Sequence, residues 1–187
     1  MADEVLAEVK VLADAYNSIL HGIDAHGLIV AAGTTPDYGG NDIDEDFYVY
    51  VGNIRKPINI YCPIYSHDDT HNFAEPLKPV VMINYDTHTA SRQTFGRETF
   101  AGTITWTICV GENDGYLIID DVIYNNERAC MVLRNKMVRI IERLAFNNVA
   151  LLQRGDTEPT NIYQTEGDDS TYKADVSLSI EYWPEIV

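Results

Sequence analysis

The stretch TITWTICV, residues 103–110, decides the fold. Ile104, Trp106, Ile108 and Val110 fall on one side of an extended chain, and Thr103, Thr105, Thr107 and Cys109 on the other. Such period-two alternation is the mark of a strand with one face on a core and one face polar. The last strand repeats it: Val176, Leu178, Ile180 and Tyr182 oppose Asp175, Ser177, Ser179 and Glu181. Between the two lies a helical pattern in which Cys130, Leu133, Met137, Ile140, Ile141 and Leu144 recur at three and four. Two alternating strands bracketing one amphipathic helix predict a sheet with a helix on its apolar face.

The neighbouring segments extend this frame. Val80 to Tyr85 is a β-branched apolar run fit for a central strand, and the polar residues 86–98, with Arg92, Gly96 and Arg97, predict a long hairpin connection into the strand at 99–110. Gly111, Asn113, Asp114 and Gly115 predict a turn. Leu117 to Tyr124 reads either as a strand or as the first turns of the main helix, with Asn125 or Asn126 as its cap. Residues 153–173 are polar and turn-rich.

Toward the N-terminus, Val5, Val9, Leu12, Tyr16 and Ile19 predict an amphipathic helix over residues 3–21, with Gly22 as its stop. Residues 31–46 read as a surface loop. Phe47–Val51 and Ile58–Ile64 read as short strands in a hairpin-like pair about Gly52 and Asn53, and residues 66–79 as a second loop. The expected class is α+β: a mixed, mainly antiparallel sheet packed by an N-terminal helix and one long amphipathic helix. Residues 1–187 form a single domain in this reading, with an insertion at 31–79 that adds a strand pair.

The chain has 187 residues and a formal net charge of -16, which disfavours a phosphate-neutralising surface for nucleic acid. Charge is uneven. Residues 1–50 carry ten Asp or Glu against Lys10 alone, whereas Arg128, Arg134, Lys136, Arg139 and Arg143 gather on the main helix. Lys136, Arg139 and Arg143 share a face and predict a basic stripe opposite the apolar one. Cys62, Cys109 and Cys130 give an odd count with no paired spacing and read as small reduced hydrophobes, as in a cytosolic protein. No segment reads as a signal peptide or a membrane span.

Chemistry-bearing clusters are sparse. His67, Asp68, Asp69 and His71 offer imidazole and carboxylate ligands for a divalent metal, but Pro63, Pro76 and Pro79 around them favour a solvated loop. Asp120, Asp121 and Glu127, and the pair Asp168 and Asp169, read more simply as capping and loop residues than as acid/base pairs. Ser66 beside His67 lacks a triad context, and Gly33, Gly39 and Gly40 form no phosphate-binding motif. Tyr48, Tyr50, Tyr61 and Tyr65 fall opposite the apolar side of their strands, as at a protein interface or on a second covered sheet face.

In element order the chain resembles the tail terminator family of long-tailed bacteriophages. The segments carrying the likeness are the helix from Val5 to Leu20, the strand Val80 to Tyr85 with its polar hairpin, the threonine-faced strand Phe100 to Val110, the helix Cys130 to Phe146 and the terminal strand Ala174 to Trp183. The resemblance implies a structural protein of the virion neck, assembled in host cytoplasm and not an enzyme. It would form a ring, of six copies in the family, on the last ring of the tail tube, stop tube growth and present a surface to the head's connector. Implied partners are further copies of itself, the tail tube protein and connector or stopper proteins. DNA would pass through the lumen without specific binding, and no cofactor, metal or membrane is implied. Arg92 and Arg97 on the hairpin, and Lys136, Arg139 and Arg143 on the helix, are the interface candidates. The segment Ala31 to Pro79 departs from the compact family form and leaves room for another head–tail joining or stopper protein. The enzymatic alternative is a small metal-dependent hydrolase using His67, Asp69 and His71.

Overall fold

A computed structural model describes residues 2–17, 48–51, 54–57, 59–61, 79–94, 97–111, 117–119, 122–165 and 171–183. The N-terminal helix α1 is Ala2–Asn17. Strands β1 (Tyr48–Val51), β2 (Ile54–Pro57) and β3 (Asn59–Tyr61) follow, then β4 (Val80–Thr94), β5 (Arg97–Gly111), β6 (Leu117–Ile119) and β7 (Val122–Tyr124). After them come α2 (Asn126–Glu142), β8 (Ala150–Pro159), β9 (Tyr163–Thr165) and β10 (Thr171–Trp183). The class is α+β, with two helices and mainly antiparallel sheet.

The larger sheet runs β3-β4-β5-β10-β8, with β9 sharing the edge of β10. Its centre is the pairing of β5 with β10, unbroken from Thr171 opposite Gly111 to Tyr182 opposite Phe100. This register aligns Trp106 with Val176 and Ile104 with Leu178, so the two alternating patterns of the sequence add into one apolar face. Strand β4 continues it with Val81, Ile83 and Tyr85 beside Ile108, Trp106 and Ile104. Against this face pack Leu133, Met137 and Ile141 of α2 and Val11, Leu12 and Ala15 of α1, all in one buried cluster.

The second sheet runs β2-β1-β6-β7. Here β1 pairs with β2 across residues 52–53, and Pro57 lies on β2 at the sheet edge, where a missing N–H costs no ladder bond. Thus the hairpin partner of β1 is residues 54–57. The next strand, β3, leaves for the larger sheet and runs parallel to β4. Leu117 and Ile119 of β6 are buried in the main cluster, and β6 and β7 form a hairpin, which resolves the segment before α2 as strand.

Helix α2 is closed by side chains at both ends. Asn125 is the N-cap, its side chain accepting the amide of Arg128 at 3.0 Å. At the other end no glycine ends the helix. The C-cap is Arg143, and Arg154 of β8 adds donors to the Leu144 carbonyl, at 3.0 Å, and to the Ile141 carbonyl, which also accepts the Leu144 amide at 2.9 Å. Helix α1 is tied down by Asp14, which is 2% exposed and accepts the amides of Asn147 and Asn148 at 3.0 and 2.9 Å and the Asn148 side-chain amide at 2.7 Å. Burial pushes this carboxyl above the ordinary aspartate range, and the amide donors pull against that shift.

Two expectations change in detail. Residues 86–98 are not a loop between strands: β4 and β5 carry their pairing through Thr94 and Arg97, with register shifts between Thr87 and Thr89 and between Thr89 and Arg92. The polar stretch from residue 153 holds β8 and β9, whose side chains are mostly exposed because both lie on the outer edge of β10.

Candidate functional site

Helix α2 turns a charged face outward. Arg128, Met131, Asn135, Arg139, Glu142 and Arg143 are exposed, on the side opposite Leu133 and Met137. Lys136 differs from the expected basic stripe. It is only 6% exposed, at the border of the apolar face, so its stem is packed and the stripe reduces to Arg139 and Arg143 one turn apart. Arg134 is drawn into the fold, donating to the Thr160 carbonyl at 2.7 Å and to the Asn135 side chain. Thr160 in turn exchanges hydrogen bonds with Asp175, at 2.9 Å in each direction. Met131 is 42% exposed on the outward face, one turn from the exposed Glu127, Arg128 and Asn135. It lies four residues from Glu127 and Asn135 and off the Cys130–Leu133–Met137 stripe. That displacement was the readable sign of an outward methionine, and the sequence reading did not use it.

The sheet's other face carries a ladder of hydroxyls. Thr103 meets Ser179 at 3.1 Å, Thr105 meets Ser177 at 3.2 Å, and Thr107 donates to Asp175 at 2.5 Å. Tyr163 closes the row by donating to the second Asp175 oxygen at 3.1 Å. Burial, with the Asp175 carboxylate beside it, pushes the Tyr163 phenol up to about 12. Asp86, opposite Thr103, and Glu158, opposite Ser177, are exposed on this same face. The face is polar and exposed in its middle, with Asp86 and Glu158 on it, and buried toward both ends, at Thr99 on one side and at Val80, Thr107, Cys109 and Thr171 on the other.

The remaining candidates are placed as follows. Arg92 pairs in register with Thr99, and Arg97 with Thr94, at the far end of the β4–β5 hairpin. Cys130 is buried with its thiol toward the Tyr172 carbonyl at 3.6 Å, and burial pushes it up to about 12, while Cys109 is buried on the opposite sheet face. Neither thiol is poised as a nucleophile. His67, Asp68, Asp69, His71, Ser66, Tyr65 and Cys62 lie outside the described residues, as do Gly22, Gly33, Gly39, Gly40, Asp120, Asp121, Asp168, Asp169 and the turn residues 113–115. Among the described residues no group of three or more His, Cys, Asp or Glu is placed to hold a metal ion, and no helix is long and apolar enough to cross a membrane. The arrangement offers surfaces for protein contact: a helix face carrying Arg128, Met131, Arg139 and Arg143 with Glu127 and Glu142, the exposed middle of the sheet's polar face, and the long β4–β5 hairpin.

No protein-family model matches the chain, and a search of curated proteins finds no significant relative.

Proposed function

We propose that this protein is a structural, self-assembling subunit of a tailed-bacteriophage neck, of the tail terminator type, which caps the tail tube as a ring and joins it to the head connector. The observation that carries the reading is the β4–β5 hairpin. Both strands run for 15 residues, yet Tyr85 and Phe100 are the last apolar residues on these strands, among the described residues, to enter the core. The ribbon beyond them stays paired through Thr94 and Arg97 and carries Arg92 opposite Thr99. We read this end of the hairpin as an arm for a partner surface, because a two-stranded ribbon is marginally stable in water by itself. In this reading the arm lies on an adjoining copy or tube subunit, Arg92 and Arg97 pair with acidic groups there, and the β1–β2 pair of the inserted segment widens the ring contact.

The order of α1, the long hairpin, the threonine-faced β5, α2 and the terminal β10 supports the same reading, since it is the order on which the family resemblance rests. The test is to add the purified protein to polymerising tail tube protein and measure tube lengths by negative-stain microscopy. Capped tubes of limited length bearing a terminal ring are expected, with loss of capping for R92E/R97E. Tubes that grow unchanged in the presence of the wild-type chain would overturn the proposal.

A further inference from the structure

We infer that the groove holding α1 is an exchange site, which takes the α1 helix of a second copy in place of the chain's own. The inference rests on the self-assembly reading above and gives it a contact. The groove already holds a helix of this sequence, so its fit to that helix is visible. Val11, Leu12 and Ala15 of α1 are buried in the main cluster, and α1 packs on β4 and β5. Glu8, one to two turns earlier on the helix, comes near enough to Tyr182 to oppose ionisation of its phenol. The helix therefore runs from beside Tyr182, which with Tyr85 and Phe100 forms the aromatic cluster at the root of the β4–β5 hairpin, to the segment before β8.

One polar residue sets the register. Asp14 lies inside the apolar stripe of α1, and both of its oxygens are used. One accepts the Asn147 amide at 3.0 Å and the Asn148 side chain at 2.7 Å, and the other accepts the Asn148 amide at 2.9 Å. A buried carboxylate without donors and buried amides without an acceptor are both costly, so a helix shifted along the groove, or one lacking the acid, loses on each side. The site is thereby selective for an amphipathic helix carrying the run Val11 to Ala15 with Asp14 in it. Every copy of the chain carries one.

Exchange creates no new surface. In a chain of net charge -16, contact between ordinary exteriors is opposed by repulsion, whereas a traded helix meets a groove already matched to it. Helix α1 has 16 residues, near the length at which a lone helix is marginal in water, so it holds its shape on a groove and not away from one. Residues 18–47 join it to β1 and reach at most on the order of 100 Å, so connectivity permits a neighbouring groove. Concentration then decides between the two, since a tethered helix competes at an effective concentration of about 1 mM. Copies held side by side exceed that, which places exchange in the assembled state. Where each copy passes α1 to the next, the contact is head-to-tail and a ring closes it.

The test uses the full-length D14C/N148C variant, whose two positions are in hydrogen-bond contact, in a C62S background where Cys109 and Cys130 stay buried. Unlabelled and nitrogen-15-labelled chains are mixed one to one without denaturant at about 10 μM and about 1 mM and then oxidised, and the peptide bridging positions 14 and 148 is weighed. Exchange predicts bridges of mixed label, few at the lower concentration and rising toward about half of all bridges, the random share, at the higher. Bridges wholly within one label at about 1 mM and in chains recovered from tube ends overturn the exchange. So does the absence of any bridge in a variant with native circular dichroism. The wild type gives a second reading. A fluorescent peptide of residues 2–17 is expected to be about half bound by the full chain at about 1 mM, because it competes with the tethered helix, and its D14A form to bind about tenfold more weakly. No saturable binding of the first peptide overturns the proposal whatever the variant does. Bridging within single copies in chains that still cap tubes overturns the exchange and leaves the ring reading standing. Mixed bridges in chains that do not cap tubes uphold the exchange and overturn the neck reading.

Discussion

Gly102 sits in the middle of β5 on the core side, and its missing side chain is filled by Tyr85. A Cβ built on Gly102 would lie 2.5 Å from the Cε2, Cζ and Oη atoms of that ring, about 1 Å inside van der Waals contact. The ring has little freedom to retreat. Tyr85 is buried, its hydroxyl meets the Tyr182 hydroxyl at 3.0 Å, and Tyr182 is stacked on Phe100 with centroids 6.1 Å apart. The pair is well sealed, since burial and the Tyr85 hydroxyl push the Tyr182 phenol above its ordinary range. For Gly102→Ala, overpacking costs about 1–3 kcal/mol and loss of the buried hydroxyl bond about 1 kcal/mol more. Lower backbone entropy in the unfolded chain returns about 0.5–1 kcal/mol. The expected net loss is about 2 kcal/mol, or roughly 4–8 °C in Tm for a chain of this size.

Urea denaturation followed by tryptophan fluorescence measures it, and a double-mutant cycle isolates the cause. Tyr85→Leu removes the three ring atoms that a new Cβ would meet. In that background Gly102→Ala is expected to be neutral or slightly stabilising, giving a coupling of about 2 kcal/mol. An equal cost in both backgrounds, or no cost in the wild type, would refute the argument that Tyr85 occupies the glycine's space.

Further outcomes follow from the same geometry. Arg154→Met takes the guanidinium from the Leu144 and Ile141 carbonyls, of which Ile141 keeps the Leu144 amide, and is expected to cost about 1–2 kcal/mol in urea denaturation, with Arg154→Lys intermediate because it keeps the charge and loses the fork. Asp14→Ala abandons the buried amides of Asn147 and Asn148 and is expected to cost about 3 kcal/mol at neutral pH. Because the folded Asp14 carboxyl is raised by burial, its titration favours the fold at low pH and that contribution is lost as pH rises through the raised value. The stability margin of wild type over Asp14→Asn should therefore be larger at about pH 4.5 than at about pH 7.5, and a margin that shrinks on acidification would show that the amide donors outweigh burial. With its thiol pushed up to about 12, Cys130 should resist iodoacetamide near pH 8 until the chain unfolds, as read by peptide mass mapping; rapid native labelling would contradict its burial.

The parts of the fold that were legible in sequence are those where one face is buried and the other is not. Thr103 to Val110 and Asp175 to Tyr182 alternate because they are the central pair of the sheet, with a helix on one side only. Strand β8 escaped notice for the opposite reason: it is an edge strand, and Gln153, Asp156 and Glu158 are exposed, so no core imposes a period on them. The end of α2 was also unreadable locally, since its C-cap is Arg143 and no glycine, and the further donor, Arg154, arrives from the next strand and carries no signal in the helix itself. Of the interface candidates, Arg139 and Arg143 are exposed as their spacing implied. Lys136 is buried because position 136 borders the apolar stripe, a boundary that a helical pattern leaves undefined by one residue.

The same contacts that stabilise the fold prepare its surfaces. Asn125 and Arg154 fix the two ends of α2, and Leu133, Met137 and Ile141 fix its rotation on the sheet, so Arg128, Met131, Arg139 and Arg143 are held on one outward face. The hydroxyl pairs of Thr103 with Ser179 and Thr105 with Ser177 likewise hold the sheet face in one rotameric state. Surfaces ordered before contact lose less entropy when they meet, which matters most where each contact is small and many copies must join. In a chain of net charge -16 repulsion opposes contact between copies over most of the surface, so under the proposed assembly that repulsion would restrict contact to complementary faces and set its specificity.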